Sequence, residues 1–156
     1  IHDVMNDLNA CKERNVVDAL SELRTARAAC ADRLTKLEKA LDLALQADAV
    51  AEDQAGFCHD HVVLPIRLFT QTVAFRLALQ DALLAWNEYK LDNAHDGVER
   101  ANESIARAKA VLAEHLNTRE VGDKNPAWKT WYDPAKRRPN GGFPTMEDLD
   151  CATFVA

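Results

Sequence analysis

The first fifty-five residues contain neither glycine nor proline, and the earliest of either is Gly56. Four of the five prolines come at or after Pro126, so little breaks the chain before its last quarter. Aromatic residues are 6% of the total, and β-branched residues are sparse beside Ala and Leu, which disfavours sheet. No run approaches the ~20 apolar residues of a bilayer-crossing helix, so no membrane is expected. A formal net charge of −6 speaks against a general affinity for nucleic acid. No charged-then-apolar leader opens the chain, so no secretion signal is expected. A chain opening on Ile1 reads as a processed product or a piece of a larger protein, which leaves its compartment unknown. Paired C-x-x-C motifs, a phosphate-cradling glycine loop and a Ser/His/Asp arrangement are all missing. The neighbours Cys58 and His59 do not by themselves make a nucleophile. No cofactor is expected, and the chain reads as non-catalytic by itself.

What is present is a hydrophobic seam. Val16, Leu20, Leu23, Arg27, Cys30, Leu34, Leu37, Leu41 and Ala44 alternate steps of four and three. That spacing lays them along one stripe of an α-helix. Arg27 interrupts the stripe, and either snorkels to its edge or pairs with a carboxylate of a neighbouring helix. The same helix constrains the cysteines. Cys11 and Cys30 lie nineteen residues apart, roughly 28 Å at the helical rise, whereas a disulfide needs Cα atoms within ~7 Å. Cys58 lies beyond the helix end, so at most one internal disulfide is expected, through Cys151. This usage weakly favours a reducing compartment.

Glycine and proline divide the chain, read as one domain over 1–156, into three helical stretches and a tail. The first helix is predicted over 3–49 with Asp3 as its N-cap. The second is predicted over 64–92 with Pro65 in its first turn. The third is predicted over 96–117 with Asp96 as cap, Gly97 just inside, and Val98, Ala101, Ile105, Ala108, Leu112 and Leu116 as its stripe. Short connections make consecutive helices antiparallel. The expected fold is all-α, an elongated antiparallel three-helix bundle whose long first helix leaves surplus seam. The tail, 118–156, holds four prolines and half the aromatics. Disordered sequence avoids aromatics, so this segment is expected to be an ordered strap along the bundle.

Two constellations carry possible chemistry. Cys58, His59 and His61 lie at the turn between the first two helices, at the pole where the third helix brings His115. Thiolate and imidazole are zinc and iron ligands, but the Glu-x-x-His pairs of di-iron bundles are absent, and a polar turn is the preferred reading. Trp128, Trp131 and Tyr132, followed by Arg137 and Arg138, combine aromatics with cations that suit a saccharide ring or an anion. Their plainer reading is as anchors of the strap. The sequon Asn102-Glu103-Ser104 falls inside the third helix, a poor site for a glycan.

Trp86-Asn87-Glu88-Tyr89, Ala106-Arg107-Ala108-Lys109, Arg119 and Trp128-Lys129-Thr130-Trp131-Tyr132 together resemble the helical accessory region that follows the catalytic barrel in some large bacterial glycoside hydrolases. That resemblance covers about the second half of the chain. It implies an accessory or scaffolding role and brings no catalytic residue, because the barrel is not in this chain. The expected function is a non-catalytic interaction or accessory module, presenting a helix face or the aromatic tail to a partner. The first helix's seam would serve a protein partner or self-association. The alternatives are an accessory domain touching saccharide through Trp128, Trp131 and Tyr132, and a small metal-binding bundle.

Overall fold

The computed structural model describes residues 16–52, 56–92 and 95–123. These are helical almost throughout, and no strand occurs among them. The chain is therefore all-α over this span. Three long helices follow one another: α1 Val16–Val50, α2 Leu64–Asp92 and α3 Gly97–Asp123. The expected cap Asp3, the thiols Cys11 and Cys151, and the whole strap from residue 124 lie outside the described residues.

Helix α1 rises roughly 52 Å over its 35 residues. Its seam is covered: Leu20, Leu23, Cys30 and Ala44 are buried, and Leu34, Leu37 and Leu41 are half-buried. Over Leu20–Ala44 the seam is packed along α2, and residues 3–15 of the predicted first helix lie outside the described residues. Arg27 takes the second of its two options, with Nε 2.8 Å from Oδ1 of Asp81 on α2. Cys30 is a free thiol.

The link to α2 differs from expectation. Gly56 holds φ +64°, a left-handed conformation that costs other residues about 1–2 kcal/mol. Helical winding then starts at Phe57, before the predicted start at 64. His59–Val63 form a π-turn, in which the Leu64 N–H donates to the His59 carbonyl. Pro65 therefore lies well inside continuous helical winding and not in a first turn. A proline ring inside an α-helix collides with the carbonyl four residues back, here that of His61. The wide π-turn just ahead of Pro65 opens the winding where that collision would occur.

Helix α2 is the hub, packing against both α1 and α3, whereas α1 and α3 meet only marginally among the described residues. It carries most of the core: Val73, Phe75, Ala78, Leu79, Ala82 and Ala85 are buried. The stretch from His59 to Leu91 is long and apolar enough, by length and composition, to cross a bilayer. The expectation that no such stretch exists is corrected. Charged residues such as Arg67 and Arg76 and polar ones such as Thr70, Gln71 and Gln80 interrupt it, and a count of unbroken apolar residues treats each as a break. Of the stretch tested, 44% is buried inside the fold, as befits a helix covered from two sides.

Helix α3 starts against α2 at very short range. A Cβ at Gly97 would stand 2.6 Å from Cβ of Tyr89 and 2.9 Å from the Ala85 carbonyl oxygen. The Asp96 carbonyl accepts the Arg100 N–H at 2.9 Å. Helix α3 runs six residues past its predicted end near Asn117. Thr118 and Arg119 are buried, and Thr118 Oγ1 accepts from Gln71 Nε2 of α2 at 3.0 Å. Tertiary contact thus carries the helix past a residue of weak propensity.

Candidate interaction surface

Two acids on α2 organise its neighbours. Asp81 and Glu88 are seven residues apart, so they share one line along the helix. Asp81 accepts from Arg27 of α1 at 2.8 Å and from Arg107 of α3 at 3.2 Å. Glu88 accepts from Arg24 of α1 at 3.1 Å and from Arg100 of α3 at 3.1 Å. Ascending numbers on α2 thus meet descending numbers on both partners. Hydrogen bonding from Arg24 is the main cause that lowers the Glu88 carboxyl below its ordinary range, with Arg100 adding to it and partial burial opposing.

Each helical residue turns about 100° from the last. On that basis Leu68, Thr72, Leu79, Leu83 and Trp86 lie on the side of α2 away from Asp81 and Glu88. Val98, Ile105, Leu112 and Leu116 likewise lie on the side of α3 away from Arg100 and Arg107. Together they flank the α2–α3 seam on the face that α1 does not cover. Trp86, Val98, Ile105 and Leu116 are 42%, 37%, 36% and 48% exposed. Exposed side chains of this size and number on one face mark an interaction site more often than chance.

The expected single stripe of α3 therefore divides in two. Ala101 and Ala108 are buried and face α2, while Val98, Ile105 and Leu116 form a second, exposed row. The signal was present in the sequence as the seven-residue steps of 98, 105 and 112. The row is edged by exposed cations. Lys90 Nζ lies 5.2 Å above the Trp86 ring, and Lys109 is exposed on α3.

The proposed metal ligands are not gathered. His59 Nδ1 pairs with Asp48 Oδ2 of α1 at 3.0 Å, and the His61 ring packs on Phe57 with centroids 4.2 Å apart. Cys58 is half-buried. His115 is buried on α3, and its pKa is lowered by desolvation and then by the charge of Arg119. Among the described residues no group of three or more His, Cys, Asp or Glu side chains converges on one point. Trp128, Trp131, Tyr132, Arg137 and Arg138 lie outside the described residues. Ser104 of the sequon is buried and accepts from Arg107 Nη2 at 2.8 Å.

On the opposite side, a cavity of about 170 Å³ opens where α1 and α3 stand apart over α2. It is lined by Leu34 and Glu38, by Arg67 and Gln71, and by Val111 and Glu114. The Gln71 Nε2 donates to both Glu114 Oε1 and Thr118 Oγ1, which spans the floor of the cavity with hydrogen bonds.

Comparison with family models, with characterised proteins and with solved structures found no match to this chain.

Proposed function

We propose that this chain is a non-catalytic interaction module: an elongated, antiparallel three-helix bundle that presents the α2–α3 face to a protein partner. The antiparallel order is supported by the four ion pairs, in which Asp81 and Glu88 meet Arg27 and Arg24 on one side and Arg107 and Arg100 on the other. The observation that carries the functional reading is the exposed apolar row of Trp86, Val98, Ile105 and Leu116. Each fully buried side chain of this kind is worth about 1.5–3 kcal/mol, so leaving four of them half in water is costly unless something covers them.

The test is affinity capture with the full chain, beside an Ile105→Glu/Leu116→Glu variant that retains the Ala101 and Ala108 row and shows the parent's helical circular dichroism. A partner held by the parent and lost by the variant supports the reading. Equal capture by both, or capture by neither, refutes it.

A further inference from the structure

The α2–α3 face has a period and a charge, and both describe what covers it. Thr72, Leu79 and Trp86 on α2 are seven residues apart, as are Val98, Ile105 and Leu112 on α3, with Leu79 buried at the base of the face and Thr72 and Leu112 half-buried. Paired rows at a heptad interval are the seam against which another helix packs at a shallow angle. A flat bilayer surface requires no such register. A helix that touched α2 alone would need only the row of Ala101 and Ala108.

The charge is biased as well. Although the chain is net −6, the exposed rim beside the apolar row carries Lys90 and Lys109, and the first acid on that side of α3 is Glu120, one turn past Leu116. The acids of α2 are Asp81 and Glu88 on the opposite side, with Asp92 at the helix end. Between Val98 and Leu116 the acids of α3 are Glu99, Glu103 and Glu114, which turn toward the Arg107 side. Two copies meeting through this face would bring two lysine-bearing rims together without supplying acidic flanks to either, which favours a partner of a different sequence.

We propose that the occupant is an amphipathic helix of a partner protein, with an apolar seam and acidic flanks, seated between α2 and α3 as a fourth helix. This rests on the reading of the face as an interaction surface and names its partner's chemistry. The exposed row from Val98 to Leu116 spans eighteen residues of rise, roughly 27 Å, so a helix of about twenty residues fills it.

The experiment uses two fluorescently labelled twenty-one-residue helical peptides, identical in their Leu and Ala seam and flanked by Glu in one and by Lys in the other. Each is titrated with the full chain in low salt and read by anisotropy. The Glu-flanked peptide is expected to bind at least tenfold more tightly than the Lys-flanked one. That ratio shrinks in 0.5 M salt, as screened contacts do, and inverts in Lys90→Glu/Lys109→Glu. Ile105→Glu/Leu116→Glu removes binding of both. Equal or tighter binding of the Lys-flanked peptide overturns the proposal while leaving capture of a partner by this face intact. So does the absence of any peptide binding, self-association that blocks it, or adsorption to phosphatidylserine vesicles in its place. Glu-flanked binding that survives Ile105→Glu/Leu116→Glu overturns it too, because the site is then elsewhere.

Discussion

Gly97→Ala isolates the steric demand of the α2–α3 approach. Gly97 has ordinary helical backbone and is not among the positive-φ glycines, so the added methyl brings no conformational strain. What it meets is Cβ and Cα of Tyr89 at 2.6 and 3.1 Å and the Ala85 carbonyl at 2.9 Å. None of these atoms can leave by a rotamer change, so the two helices must part by several tenths of an ångström. Overpacking of this kind costs about 1–3 kcal/mol, with the backbone partners placing it toward the upper end. Against this, alanine gains up to about 1 kcal/mol over glycine in a helix. The net expectation is a loss of about 1–2 kcal/mol. Urea unfolding followed at 222 nm should show it as a midpoint lowered by about 1 M, for a slope near 1.5 kcal/mol/M. Ala113→Gly, exposed on the same helix, reports the propensity effect alone at about 1 kcal/mol. A Gly97→Ala midpoint equal to or above the parent's would refute the close approach, because the propensity gain would then have met no opposition.

Asp81→Asn removes the shared charge between Arg27 and Arg107. Both arginines are partly exposed, so the loss should be about 1 kcal/mol, and a double-mutant cycle with Arg27→Gln should show coupling of a few tenths or more. His115 titrates below its ordinary range in the folded chain, so the unfolded chain takes up its proton first. Stability is then full above about pH 6.5 and declines as pH falls from there toward the folded value; His115→Gln should flatten that decline in urea midpoints measured from pH 7.5 to 5. Desolvation pushes the Cys30 thiol up, with Arg76 the first of the charges opposing it. In a Cys11→Ser/Cys151→Ser background, Ellman's reagent should therefore label half-buried Cys58 at least tenfold faster than Cys30, and equal rates would contradict the burial of Cys30, whose Sγ donates to the Val73 carbonyl at 3.6 Å.

The helices were largely legible from spacing. The seam through Leu20, Leu23, Cys30 and Ala44 is an α1 core stripe, and Gly56 does end the connection in a left-handed turn. Three things were not legible, each for a physical reason. Pro65 reads as a helix start because local rules place it there, and only the π-turn before it lets winding begin at Phe57. Asn117 reads as a stop because its propensity is poor, and only Gln71 on another helix shows why Thr118 continues. The outward row on α3 runs three residues ahead of its inward row at each step, a helical spacing in its own right, so a one-dimensional pattern merges Val98 with Ala101 and Ile105 with Ala108. The exposed face was the least legible part, because clusters of Cys and His attract notice by their chemistry. The exposed face is written in common residues, Leu, Ile and Val, whose meaning depends on which helix stands beside them.

Because, among the described residues, α1 and α3 both lean on α2 and barely on one another, these three helices resemble two leaves hung on a single pin. Pulling α1 away would sacrifice the Arg24 and Arg27 pairs yet leave α2 and α3 joined through Gly97, Gln71 and the buried alanines. Amide exchange in native buffer should accordingly release α1 ahead of the α2–α3 hairpin. A protein built this way can swing one arm open without losing the other.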